Sequence, residues 1–238
     1  MSSTRTAAMA AGVLFLITEI TAMAGLALYQ PVLHDTNYIV GAGADDRVLM
    51  GGLAELILAV AVIGTAVTLY PLLAQHNHSV ALGYVCGRLL EAAVITVGII
   101  TVLSVVTLRQ NLAGTGLPAD TTLVTIGKTL VAIHDWTFLL GPNVILGVNS
   151  LLLATLVYRS RLVPRLLAML GLAGGVLICA SATAVMFGGY EQISVWGTAA
   201  ALPVFAWEVG LAGYLIVKGF VPPQDSPSEQ PRTAPSAA

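Results

Sequence analysis

Four ionisable side chains stand inside long apolar runs: Glu19, Arg88, Glu91 and Glu208. Arg88 and Glu91 share the stretch GYVCGRLLEAAVITVG over 83–98. Their i, i+3 spacing puts both on one face of a helix. A guanidinium among carboxylates forms charge-assisted hydrogen bonds. Carboxylates in excess of cations make a layer that binds protons or cations. A second set, Glu55, His134 and Asp135, combines carboxylates with an imidazole, the groups of acid–base chemistry. Two apolar runs are also broken, at Gly141-Pro142-Asn143 and at Pro203, and Asn149 follows on the first of them. Each proline removes a backbone hydrogen bond, to the Phe138 carbonyl and to the Ala199 carbonyl. Transporters use such breaks at substrate sites, although proline is also common in ordinary membrane helices.

The elements that hold these groups follow from composition. Of 238 residues, 57% are hydrophobic and only 9% charged, against roughly a quarter charged in soluble domains. Mean hydropathy is +0.88. Apolar runs of about 20 residues suit a hydrocarbon core of about 30 Å. The expected fold is all-α, a polytopic bundle with spans at about 7–28, 50–73, 80–108, 134–157, 165–187 and 195–218. The longer connections, 29–49 and 109–133, are rich in Gly, Asp, Asn, Thr and Pro, which are loop signals. Residues 1–220 then form the membrane domain, and the Pro- and Ser-rich tail over 221–238 reads as disordered. Arg5 with the run from Ala7 to Ile17 and Ala22-Met23-Ala24 also fits a cleaved signal peptide. Apolar residues continuing through Leu28 favour a retained helix.

Helical rise places the charges in depth. With span ends as above, Arg88 lies roughly 12 Å, Glu91 roughly 16 Å, Glu19 about 18 Å and Glu208 about 20 Å from the surface at which each span begins. All four share the middle of the core. A charge facing lipid there costs at least ~3 kcal/mol, so all four are expected to face the bundle interior. One guanidinium cannot fully pair three carboxylates, so the others must be protonated, hydrated or otherwise partnered. Glu55, His134 and Asp135 form an expected outer layer, with His134 and Asp135 opening the fourth span.

Other chemistries find little support. The net charge of −2 leaves no nucleic-acid footprint. Cys86 and Cys179 lie within spans and read as small hydrophobes. His76 and His78 lack nearby carboxylate or thiol ligands, so no metal site and no cofactor are expected. No nucleophile elbow, zinc-protease or phosphate-loop motif stands in a usable context.

The segments ALGYVCGRLLEAAVITVG (81–98), HDWTFLLGPNVILGVNSLLLATLVYRSRLVPRLLAMLGLAGG (134–175) and PVFAWEVGLAGYLIVKGF (203–220) resemble the bacterial membrane family catalogued as domain of unknown function 4386 (DUF4386). The resemblance covers nearly the whole membrane region. It implies six helices, a retained first helix and the plasma membrane of a prokaryote. It implies no activity.

Three functions from different classes remain. The chain is a small proton-linked carrier or binder of a small-molecule or proton ligand, a structural or regulatory subunit without substrate, or an intramembrane enzyme using His134, Asp135 and Glu55. The bilayer is the one partner composition names, and oligomeric state is open. Lys and Arg near span ends set orientation. Arg159, Arg161 and Arg165 crowd the loop after the fourth span, with Arg5 and Lys218 on the same side, whereas Arg47 and Arg109 opposite are diluted by acids. Both termini are therefore expected in the cytoplasm. A single cysteine at Ser160→Cys, with Cys86 and Cys179 replaced, should resist an impermeant thiol reagent in intact cells and react after permeabilisation. Strong labelling of intact cells reverses the orientation.

Overall fold

A computed structural model describes residues 3–41, 43–113 and 121–220. The tail expected at 221–238 lies outside the described residues. All regular structure among the described residues is helical. The helices are α1 (Ser3–His34), α2 (Asp45–Leu73), α3 (His78–Ala113), α4 (Thr121–Leu139), α5 (Leu146–Ser160), α6 (Arg165–Met186) and α7 (Val195–Val217). A π-helical segment, Leu140–Ile145, joins α4 to α5 in one rod. Among the described residues six rods are long and apolar enough to cross a membrane. Helix is the economical answer to hydrocarbon, because each rod satisfies its own backbone polar groups.

The rods pack in chain order. α1 lies on α2, α2 on α3, α3 on the α4–α5 rod, α5 on α6, α6 on α7, and α7 returns to α1. The result is a closed ring whose interior receives the polar side chains. At one end Ala8, Ala11 and Phe15 of α1 join Trp207, Leu211 and Leu215 of α7 in the largest core cluster. At the other end Tyr29 and Val32 pack with Val48, Val102 and Val105 under the α1–α2 loop.

Two expected loops prove largely helical. The fourth rod begins at Thr121, not at His134, so His134 and Asp135 sit inside a helix and cap nothing. Thr125 and Thr129, read as loop residues, donate their hydroxyls to the carbonyls four residues back. Val124, Leu130 and Val131 meanwhile pack against the Tyr38 cluster. Likewise α1 continues to His34 and α3 to Ala113, which shortens the connections. The α1–α2 loop keeps only a 3-10 turn at Tyr38–Val40.

Backbone groups freed by two of the prolines are met by particular side chains. Pro31 in α1 cannot bond the Ala27 carbonyl, and Arg47 Nη2 donates to that oxygen at 2.7 Å. Pro142 frees the Phe138 carbonyl, and Asn143 Nδ2 donates to it at 3.0 Å. At Pro203 the rods run close, with Gly174 of α6 lying against the Pro203–Val204 backbone. The rod ends are also tied. Arg5 donates to the carbonyls of Leu215, Ile216 and Val217 at the end of α7. Arg109 grips Asp45 with Nε and Nη2 at 2.7 and 2.8 Å and reaches the Gly41 carbonyl. Tyr38 donates to the same carboxylate, and burial, then that bond, push its phenol up to about 12.

Gly174 shows how tightly α6 and α7 approach. A β-carbon there would lie 2.7 Å from the Val204 nitrogen and 2.8 Å from its Cα, atoms that cannot turn away. Gly213 on α7 has nothing within 4 Å of that position. Gly174→Ala should therefore lower stability by about 1–3 kcal/mol, while Gly213→Ala leaves it unchanged or raised by up to about 1 kcal/mol. Thermal unfolding of the detergent-solubilised pair tests this. Equal midpoints would show that α6 and α7 can move apart freely.

Candidate functional site

The interior of the ring holds a chamber of about 260 Å³. α1, α2, α3, the α4–α5 rod, α6 and α7 all contribute to its wall, and Glu19, Glu55, Arg88, Glu91, His134, Asn143 and Glu208 all line it. Glu55 and His134 of the expected outer layer thus line the same chamber as the expected middle layer, and Asp135 does not. The reason is helical geometry. α2 begins at Asp45 and α4 at Thr121, so Glu55 and His134 lie well along their rods instead of at the boundary.

One end of the chamber is built around Arg88, which is 2% exposed. Its Nη2 donates to Glu208 Oε1 at 2.8 Å. Its Nη1 is shared between Glu91 Oε2 at 3.2 Å and Oε1 at 3.3 Å. Nε donates to the Tyr84 hydroxyl at 3.2 Å. The rings of Phe15 and Tyr84 each lie 5.5 Å from the guanidinium carbon, close enough for cation–π attraction. Asn149 Nδ2 completes the corner by donating to Glu91 Oε2 at 2.7 Å. Gly87 makes room for that amide, since any β-carbon at 87 would overlap Asn149 Oδ1. Glu19 lies beside Glu208 and near Arg88, but the ion pairs of Arg88 go to Glu91 and Glu208.

The other end has no such hub. Glu55 is buried, and among the described residues no Lys or Arg pairs with it. Its neighbours are Tyr29 and His134. The Tyr29 hydroxyl is buried beside the Glu55 carboxylate, and His134 Nδ1 is buried and forms no hydrogen bond. Their rings meet edge-on at 5.6 Å, and Phe138 stacks on the imidazole at 6.3 Å. Asp135 turns away. Its side chain is 65% exposed, its Oδ1 is 3.6 Å from His134 Nδ1, and it lines a separate cavity of about 130 Å³ with Asp35 and Lys128.

The breaks divide similarly. Pro142 and Asn143 line the chamber, whereas Gly141 is buried against Val94 of α3. Pro203 stands behind the wall that Val204 forms. His76 and His78 lie at the α2–α3 turn, bonded to the Leu72 carbonyl and the Tyr70 hydroxyl. Among the described residues no three His, Cys, Asp or Glu side chains gather as metal ligands. Sequence reading missed Tyr84, Tyr29 and Phe15. Tyr84 had a signal, being four residues before Arg88 on one helical face. Tyr29 and Phe15 reach the site only because α1 packs against α2 and α7.

A family model described as Domain of unknown function (DUF4386) matches residues 10–219. The chain belongs to this family. No curated protein and no solved structure matches it. The DUF4386 match takes in all six apolar rods and every residue of the chamber wall. The chain is a multi-pass membrane protein of that family.

Within this DUF4386 protein Arg88 holds two carboxylates from two rods. Arg88→Ala leaves Glu91 and Glu208 buried without a cation, and should lower stability by ~3–5 kcal/mol. Arg88→Lys should recover only part, because an ammonium cannot fork between Glu91, Glu208 and Tyr84. Midpoints of thermal unfolding in detergent rank the three proteins. Wild-type stability in Arg88→Ala would remove Arg88 from the centre of the charge layer.

Proposed function

We propose that this protein is a small proton-linked carrier or binder, whose mid-membrane chamber exchanges protons for a small ligand. The observation that supports this reading is an imbalance of charge around one chamber. Glu19, Glu55, Glu91 and Glu208 face a single guanidinium, and two of the four are already bound to it. A chamber with four ionised acids and one Arg would carry a formal charge of −3, which hydrocarbon disfavours. Protons or a bound cation must make up the difference, and exchange of one for the other is the elementary step of a proton-linked carrier. Intramembrane ionisable groups mark such pathways.

The titratable and charged groups facing this space come from five rods. They are Glu19 of α1, Glu55 of α2, Arg88 and Glu91 of α3, His134 of α4 and Glu208 of α7, with Tyr29 behind Glu55 and Tyr84 behind Arg88. The Arg88 corner serves as a staple, which leaves Glu19 and Glu55 as the exchanging acids. A purely structural subunit has no use for a chamber containing unpaired acids. Asp135 stands 3.6 Å from His134 Nδ1 but is largely exposed and lines a separate cavity, which favours the carrier reading over an enzyme that needs this carboxylate inside the chamber. Cytoplasmic termini and the plasma membrane of a prokaryote complete the proposal, on the Arg-rich 158–165 loop and the family resemblance.

Infrared difference spectra of the reconstituted protein during pH steps measure carboxyl protonation directly. A carboxyl C=O band should appear and vanish with pH in the wild type. Glu19→Gln and Glu55→Gln should each remove part of it. Carboxyl bands that stay unchanged throughout the folded pH range would make the layer a fixed structural cluster and end the carrier reading.

A further inference from the structure

The chamber also has a direction of access. Of the residues in its wall, only Met23 on α1 and Phe205 on α7 are exposed, at 55% and 38%. These are the first and last rods, where the ring closes on itself. Their packing is one-sided. Before Glu19, Ala8, Ala11 and Phe15 share a core cluster with Val204, Trp207, Leu211 and Leu215. Beyond Glu19, the buried α1 residues Tyr29 and Val32 pack with α2 and α3 instead, and α7 contributes nothing to that cluster. The seam is therefore tight along one half and lined by Met23, Leu26, Ala201 and Phe205 along the other. That half lies within apolar stretches of both rods, so it faces the bilayer.

What the chamber offers beyond the seam is anionic and partly unsatisfied. Glu55 is 8% exposed and His134 4%. The Tyr29 hydroxyl lies beside Glu55, and His134 Nδ1 has no hydrogen-bond partner, the Asp135 carboxylate standing 3.6 Å away. Gly25 abuts the Glu55 side chain, six residues beyond Glu19 on α1. The two acids are therefore separated by roughly 9 Å along the rod. Between them the wall is apolar, with Met23, Leu58 and Phe138 among the lining. Phe138 brings an aromatic ring to the wall, and ring faces favour cations. A volume of about 260 Å³ falls just below the range for drug-sized ligands.

Resting on the proton-linked reading above, we propose that the ligand is a small amphipathic organic cation. It passes from the bilayer into the chamber between α1 and α7, and its ammonium group comes to rest at Glu55 or Glu19. Binding displaces a proton from the carboxylate, so charge inside the chamber is conserved. No covalent step is involved.

Three probes with one apolar body and different charge test the class: phenethylammonium, 2-phenylethanol and 3-phenylpropionate. Binding to the purified full chain in detergent is followed by titration calorimetry. Phenethylammonium should bind about tenfold or more tightly than either analogue, and Glu55→Gln or Glu19→Gln should reduce its affinity by a similar factor. The route is tested by kinetics in vesicles. Ala201→Trp, at the seam, should slow phenethylammonium association several-fold, whereas Gly213→Trp, on the open side of α7, should not. Equal or better binding of the alcohol or the carboxylate overturns the cationic class, as does a failure of all three to bind. Unchanged association in Ala201→Trp overturns the lateral route. The infrared bands separate these failures from that of the parent reading: if pH-dependent carboxyl bands persist, proton exchange stands and only the ligand proposal falls. Retained melting midpoints in the glutamine variants show that lost binding is not lost folding.

Discussion

The structure depends on the contact between the Arg88 guanidinium and the carboxylates of Glu91 and Glu208. In hydrocarbon a lone charge is expensive, and a buried pair broken on one side is worse than no pair at all. Arg88 answers this with three different bonds, to Glu91 on its own rod, to Glu208 on α7 and to Tyr84 one turn away. The bond to Glu208 joins the third rod to the sixth across the interior. It sets how far α3 and α7 can separate, and so sets one end of the chamber. Asn149 then ties Glu91 to the α4–α5 rod, and Gly87 is small because that amide needs its space. Much of the local sequence around Arg88 follows from one charge that must not be left alone.

The same rule governs the backbone. A proline inside a membrane rod leaves a carbonyl that neither lipid nor water will satisfy. Here Arg47 reaches back to the carbonyl freed by Pro31, and Asn143 to that freed by Pro142. The second case has a consequence for the site. The rod widens into a π-helical segment at Leu140–Ile145, and Pro142 and Asn143 face the chamber. A wider turn brings extra backbone toward the interior, as π segments at functional sites commonly do. Arg5 and Arg109 act at the ends, one on α7 carbonyls and one on Asp45 and the α1–α2 loop. These arginines, counted in sequence only for their effect on orientation, turn out to be structural ties.

The chamber is asymmetric in charge and in wall. Around Arg88 the acids are paired, the rings of Phe15 and Tyr84 enclose the cation, and α1 is sealed against α7. Around Glu55 no guanidinium stands among the described residues, His134 Nδ1 forms no hydrogen bond, and the α1–α7 seam is lined by exposed apolar side chains. A staple at one end permits looseness at the other. Fixed pairing near Arg88 holds α3 and α7 together, and the Glu55 end has no such tie.

Membrane class, the number of rods and the burial of Arg88, Glu91 and Glu208 were legible in sequence, because hydrocarbon imposes length, apolar composition and inward charges without regard to neighbours. The pairing of Arg88 with Glu91 was legible for a local reason, their shared helical face. The role of Asn143 was half legible: Pro142 announces a freed carbonyl at Phe138, but not which side chain will take it. The choice of Glu208 over Glu19 as the second partner was decided by the tertiary structure, since it depends on how α7 rotates against α3. So were the merging of Glu55 and His134 into the chamber and the turning out of Asp135. Both required knowing that the fourth rod starts at Thr121. Loop residues such as Thr125 and Thr129 hid that start because a threonine that bonds its own helix cannot be told by type from one that ends it. Depth along a rod is a one-dimensional quantity that sequence carries well. Rotation about a rod and the closure of first rod on last arise only from packing, and they decide which charges meet.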